Sequence, residues 1–494
     1  MTTQQQQAYE WAKSKKANYI NGQWQPPERL YLCHNPATNT PIGEVPSTNQ
    51  HELDEAVSAA RNSFHNGWGN YSRRERAKAL IQAGQIIREH QEELAALITL
   101  ENGKLYRESL EDDMPDTADL FDYFAGWTDK FYGETAPVEP GFVNYIQREA
   151  VGVCGLIIPW NFPLLLAMWK IAPALCLGNT VVVKPSEETP YSLLRTLELW
   201  DAAGVFPPGT INVVCGAGDV GSLITHHPDI DKVSFTGSTA TGKKIVLGSG
   251  ESNLKTVTLE LGGKAPVLLF EDTPDLDAAI ERCFHVAYSQ KGEKCTEPTR
   301  LLIHDSIYET VSQKMTERVN GIVCGDPYDA DAYQGAQSCQ AQFEKIMGYI
   351  ESGKKAGATL LAGGEALTLP GEYKNGFYVQ PTLFGNVDNQ LAIAREEIFG
   401  PVLILQSFSD EEQAITLTND TIYGLAAGLY TADVSRAHRV ASAIDAGQVF
   451  VNRYGCYDFA SPFGGFKQSG WGKEMGIHVL SAYSRVKSVW IAYD

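Results

Sequence analysis

The run VGVCGLII at 151–158, followed by TVVVK at 180–184, INVVC at 211–215, KVSF at 232–235 and TVTLE at 256–260, decides the fold. A strand with one wet face must alternate apolar and polar residues, so valine-rich runs without alternation predict strands buried on both faces. The stretches between them suit helical crossovers, and strand–helix–strand repetition predicts an α/β protein with a doubly wound parallel sheet. Toward the C-terminus, PVLLF at 266–270, a helical segment from Asp275 to Tyr288 and LLIH at 301–304 repeat the alternation and predict a second α/β unit. No Pro/Ser-rich linker separates the halves, so a short hinge near 260–265, with a cleft beside it, is expected. Toward the N-terminus, Leu53, Val57, Ala60 and Phe64 mark one amphipathic helix. The capping box Ser72-x-x-Glu75 opens another, carrying Leu80, Ala83 and Ile87. Residues 1–20 hold a Gln tract without apolar period and read as a solvated or loosely attached terminus.

A chain of 494 residues, 43% hydrophobic and 20% charged, is the size and balance of a globular enzyme with two or three domains. Its formal charge of −20 repels phosphate backbones and anionic lipid, which argues against nucleic acid and membrane surfaces as partners. The nine cysteines are scattered singly, with no C-x-x-C spacing, which predicts free thiols and no metal site. With no signal or transit pattern at the start and no apolar run long enough to span a bilayer, a cytoplasmic location is expected.

Two glycine motifs suggest phosphate binding. Gly216-Ala-Gly218-Asp-Val-Gly221 satisfies G-x-G-x-x-G after a strand, but no acidic residue ends a following strand about 20 positions on. Gly237-Ser-Thr-Ala-Thr-Gly242-Lys243 reads G-x-x-x-x-G-K, yet Lys244 replaces the Mg²⁺-binding hydroxyl, which disfavours an NTPase. What survives at the second motif is a strand, a turn and a helix start that can take an anion or simply be capped.

Glu260 ends a buried strand just before Gly262 and Gly263, and 35 residues downstream lies Gly292-Glu293-Lys294-Cys295-Thr296. A carboxylate and a thiol there can meet across the cleft. Each also reads as a rim charge or a small buried residue, and Lys294 beside the thiol favours the thiolate. With Pro159-Trp160-Asn161-Phe162-Pro163, Glu396-Glu397-Ile398-Phe399-Gly400-Pro401 and Pro462-Phe463-Gly464-Gly465-Phe466-Lys467-Gln468-Ser469-Gly470, these segments closely resemble the aldehyde dehydrogenase superfamily, in order, from about residue 20 to the C-terminus.

The resemblance implies NAD-dependent oxidation of an aldehyde to the acid. Cys295 would be the nucleophile, passing through a thiohemiacetal and a thioester, and Glu260 the base that activates the hydrolytic water. The Asn161 amide, with the Cys295 N–H, would hold the oxyanion, one such donor being worth roughly 3 to 4 kcal/mol. Lys170 matches the lysine the family keeps near Asn161. Ile157, Pro159, Trp160, Lys184, Glu187, Gly221, Gly237, Ser238, Glu397 and Phe399 fall at its cofactor positions. Glu187 accepts hydrogen bonds from free ribose hydroxyls but repels a 2′-phosphate, so NAD is expected over NADP. Because family members that acylate coenzyme A lack the base, Glu260 favours hydrolysis.

Phe162, Leu166, Trp169, Lys294, Tyr457 and Phe463 fall at tunnel positions and predict an apolar or aromatic aldehyde. Against that, Lys294 and Arg453 would put cations near the tunnel and accept an acidic group, so a semialdehyde dehydrogenase stands as the alternative. A catalytically idle protein on the same scaffold is the alternative of another class. By the resemblance, 1–130 and 152–262 form the coenzyme domain and 263–474 the catalytic domain. The remainder, 131–151 and 475–494, forms a small β arm that makes a homodimer or homotetramer. Before the nucleophile the family reads Asn-Gln-Gly-Gln-x-Cys, whereas here Lys291 and Glu293 are charged, which predicts an atypical pocket mouth.

Overall fold

A computed structural model describes residues 2–493. The five valine-rich runs form the strands Val153–Ile157, Thr180–Lys184, Ile211–Val213, Lys232–Thr236 and Thr256–Glu260. They lie parallel, with Val153–Ile157 in the middle, Thr180–Lys184 then Ile211–Val213 on one side, and Lys232–Thr236 then Thr256–Glu260 on the other. Val181, Val182 and Val183 are fully buried, as strands covered on both faces require. The winding reverses between Val153–Ile157 and Lys232–Thr236, and it is at such a reversal that open α/β sheets leave a crevice at the strand C-termini. Ile157 is in register with both Lys184 and Phe235, and Thr236 with Glu260, so these strand ends share one rim.

A second sheet of seven strands contains Ala265–Leu269, Pro298–His304, Val402–Phe408 and Ala426–Tyr430 as parallel neighbours. The helix Leu276–Tyr288, capped by the Asp275 side chain, packs on it. Glu260 and Ala265 end and begin their strands on either side of the short join at 261–264. The chain also crosses back. Gly470–Trp471, within the segment expected in the second unit, pairs antiparallel with Leu259 and Glu260 and becomes the edge of the first sheet.

The two N-terminal helices form at Gln50–Asn66 and Arg73–Glu89, the latter with its Ser72/Glu75 capping box. The reading of residues 1–20 as loosely attached is corrected. Thr3–Lys13 is a helix with a Thr2/Gln5 capping box, Ala8 and Ala12 are fully buried, and Trp11 Nε1 donates to Glu198 Oε2 at 2.7 Å. Its buried stripe is Gln5, Ala8 and Ala12, small or polar residues that allow close approach yet give no apolar period. Asn18–Ile20 then joins the first sheet.

Glu134–Ala136, Phe142–Ala150 and Ser484–Ala492 form a separate three-stranded antiparallel sheet. Residues 475–483 stand outside it: the helix His478–Ala482 sends Val479 and Leu480 into the first unit's core. No helix among the described residues is long and apolar enough to cross a membrane. All nine cysteines are free thiols.

Candidate active site

The join after Glu260 is tight because it must be. A Cβ on Gly262 would lie 2.5 Å from the Glu397 carboxylate, and one on Gly263 2.3 Å from the Cys295 carbonyl oxygen. Two glycines thus let the end of the first sheet touch both the Glu397 turn and the cysteine loop. Gly263 N–H donates to Glu397 Oε1 at 2.8 Å and closes the contact.

The cysteine loop carries three successive left-handed residues, Gln290, Lys291 and Gly292, at φ 54°, 62° and 69°. For the two residues with a Cβ this costs about 1–2 kcal/mol each. The loop is held by the two charges that depart from the family pattern. Lys291 Nζ lies 2.8 Å from Glu293 Oε2, with both side chains at most 2% exposed. Lys291 Nζ also donates to Asn102 O and Oδ1 and to Ser338 Oγ, while Glu293 accepts from Ser338 N and Oγ. Neither side chain lines the cavity that opens beside the loop. The expected atypical mouth is therefore corrected: the two charges neutralise each other inside the protein and brace the loop.

A cavity of about 270 Å³ opens beside that loop. Cys295, Asn161 and Glu260 line it together, and so do all six expected tunnel residues, Phe162, Leu166, Trp169, Lys294, Tyr457 and Phe463. Arg453 is exposed and does not line it. Lys294 does, but its Nζ donates to Ser289 Oγ at 2.8 Å and lies 3.7 Å from Glu297. The Asn161 amide uses one hydrogen on the Glu293 carbonyl, 2.9 Å away, which leaves the second hydrogen uncommitted.

Lys170 stands behind the lining. Fully buried, it bonds Thr236 Oγ1 at 2.7 Å and Glu474 Oε1 at 2.5 Å, and both of those residues face the cavity. Glu260 and Glu474 each keep one buried carboxylate oxygen without a protein partner. Burial, reinforced by Glu474, pushes the Glu260 carboxyl well above the ordinary range, against the pull of Lys170 and Lys473. Burial also raises the Cys295 thiol, with Glu260 and Glu397 adding to it. The thiolate expected from the neighbouring Lys294 is therefore corrected: burial disfavours it, and a thiol sharing a cavity with a carboxyl of raised basicity is equipped for proton transfer and acyl chemistry.

None of the ten expected cofactor residues lines this cavity; they gather along the strand rim instead. Ile157 and Lys184 end neighbouring strands, and Pro159 and Trp160 follow the first of them. Lys184 Nζ donates to Pro185 O and Gly216 O and lies 3.3 Å from Glu187 Oε2, and burial lowers its pKa. Gly221 faces Lys184: a Cβ there would still sit 3.8 Å from Lys184 Cε, leaving room beside it. Gly237 and Ser238 lead into the helix Thr239–Glu251, whose N-cap is Ser238. The Trp160 and Phe399 rings meet edge to face at 5.3 Å. A row of strand ends, a helix N-terminus and a polar Lys/Glu pair at a winding reversal fit a dinucleotide.

Sequence reasoning missed Glu474, Thr236 and an acidic wall formed by Asp112, Asp113, Asp116 and Asp458, all lining the cavity. Glu474 lies four residues past the quoted 462–470 segment in an aperiodic stretch, and acids at 111–116 look like a solvated helix face. Across known proteins, residues 24–489 match the model described as the aldehyde dehydrogenase family. Human retinal dehydrogenase 2 is 42% identical, the match covering 96% of this chain and 91% of that protein. An aldehyde dehydrogenase of Bacillus cereus, solved as an NAD+ complex, superposes with a TM-score of 0.96 at 40% identity, covering 100% of this chain and 99% of the other. An indole-3-acetaldehyde dehydrogenase complexed with NAD+ also reaches 0.96, at 38% identity and full coverage of both chains. With a family match spanning nearly the whole sequence and the same fold throughout, this chain belongs to the aldehyde dehydrogenase family.

Proposed function

We propose that this protein oxidises an aldehyde to its carboxylic acid with NAD, using Cys295 as nucleophile, Asn161 as oxyanion donor and Glu260 as base. The observation that carries these roles is the single cavity lined by all three side chains. The Cys295 thiol gives its proton to water as its sulfur attacks the carbonyl carbon, and the charge on the oxygen of the resulting tetrahedral thiohemiacetal is stabilised by the free Asn161 N–H and the Cys295 N–H. Bound NAD supplies the hydride acceptor. Collapse of the adduct leaves a thioester on Cys295. Glu260, made more basic by burial, takes the proton of the attacking water, and the acid departs.

The strand rim supports a coenzyme site with Lys184 and Glu187 at the adenosine ribose, Gly221 on the adenine side, and Gly237 and Ser238 at the pyrophosphate. Glu397 and Phe399 stand at the nicotinamide end, with Ile157, Pro159 and Trp160 along it. The reading takes 1–130 with 152–262 as the coenzyme domain and 263–474 as the catalytic one, apart from Gly470–Trp471, which returns to the first sheet. Glu187 sets NAD above NADP by charge. The free edge of the three-stranded sheet supports a homo-oligomer, and nine free thiols support a reducing, cytoplasmic setting.

Aldehyde-dependent formation of NADH tests this directly. Cys295→Ala should abolish it, and Glu260→Gln should keep a first-turnover burst while steady turnover falls about a hundredfold or more. An active Cys295→Ala protein would end the reading; a burst lost together with turnover would put Glu260 in the attack step.

A further inference from the structure

We infer that the tunnel selects aldehydes bearing a positively charged group, an ammonium or quaternary ammonium, distal to the carbonyl. The inference rests on the oxidation reading above and deepens it. Asp112, Asp113, Asp116 and Asp458 line the same cavity as Cys295. Among the described lining residues the one cationic side chain is Lys294, already engaged with Ser289 and Glu297. An anionic substrate would meet four carboxylates there.

Three of the four acids, Asp112, Asp113 and Asp116, are built into the helical stretch that runs from a π turn at Ser109–Asp113 into the helix Met114–Ala125. π turns inside helices recur at functional sites because they shift which side chains share a face. Asp113 is 1% exposed; its Oδ2 pairs with Lys104 Nζ at 2.7 Å, and its Oδ1 is buried with no hydrogen-bond partner. A carboxylate oxygen sealed behind a cavity wall without a partner leaves negative charge that a cation in the cavity offsets. Asp112 and Asp116 stand at the exposed mouth, yet crowding by protein, and for Asp116 the neighbouring Asp112 and Asp119, raises their carboxyls.

The rest of the wall suits the same guest. Phe162, Trp169, Tyr457, Phe459 and Phe463 line the cavity, and ring faces attract alkylammonium groups. One ring already does so: the Lys104 ammonium lies 4.1 Å from the centre of Phe162. Rings to hold methylene and methyl groups, with carboxylates beyond them, make a receptor for a cation on an alkyl stem.

Steady-state kinetics of the full-length protein with NAD and three aldehydes of equal chain length decides it: a trimethylammonio-alkanal, its neutral tert-butyl isostere and an ω-carboxyalkanal. The cationic aldehyde should exceed the isostere in kcat/KM by about tenfold or more, chiefly through KM, with the carboxylated one last. Added salt should shrink that ratio, and Asp112→Asn combined with Asp116→Asn, both at exposed positions, should bring it close to one. A parent enzyme that turns over the isostere or the carboxylated aldehyde as well as the cation overturns the inference. So does a preference that survives in the double variant. If none of the three aldehydes yields NADH, the oxidation reading itself falls.

Discussion

Glu260, the proposed base, has its strength set by its neighbours. Burial raises its carboxyl, Glu474 raises it further, and Lys170 and Lys473 pull it down. A base works deprotonated, so the acid limb of the kcat–pH profile should lie above the 4.5 of an ordinary glutamate. Glu474→Gln removes a repulsive charge and frees Lys170 to favour the anion, so the limb should move to lower pH. Lys473→Gln should move it the other way. A kcat profile that stays put in both variants, or shifts with the opposite signs, would mean that Glu260 does not limit turnover. At this scale the sequence was legible only in company. Cys295 is one thiol among nine, and only matching segments on both sides singled it out. Glu474 escaped notice because its part in the site comes from a contact with Lys170, 304 positions away in the chain.

The loop that presents Cys295 is an element without regular structure, and its shape depends on the Lys291–Glu293 pair. Removing one partner strands a buried charge, so Lys291→Gln or Glu293→Gln alone should lower stability by about 3 kcal/mol or more. Changing both together restores the neutral residues usual in the family and should cost less than either single change. A double-mutant cycle by denaturant unfolding measures this coupling; additive effects would mean the pair does not act as a unit. Elements with regular texture were readable: valine runs became strands and the Ser72/Glu75 capping box opened a helix. The helix Thr3–Lys13 was not, since alanines mark its buried side. Nor was the left-handed run 290–292, where Gly292 is the one residue that favours such a backbone.

Across the whole molecule, the two sheets and their boundary could be read from the alternation of runs, because each buried strand has to be apolar. The third sheet leaves an apolar margin in water. Val486, Trp490 and Ile491 on the edge strand Ser484–Ala492 are at least half exposed, and Phe142 and Val143 on the neighbouring strand are also open. An unpaired edge with that composition is a template for pairing with another chain. Light scattering should therefore find a dimer or tetramer, and Val486→Lys with Trp490→Lys should shift it toward the monomer. A parent protein that runs as a monomer at micromolar concentration would refute a role for this edge in assembly.

The return of Gly470–Trp471 to the first sheet gives the lobes a second covalent bridge beside the first. Ser469 clasps the two bridges, accepting from Leu261 N at 2.9 Å and donating to Gly262 O at 2.7 Å. Lobes stitched along such a double seam share one border. Neither half, cut free, would keep its own border intact, so both should melt in one cooperative event.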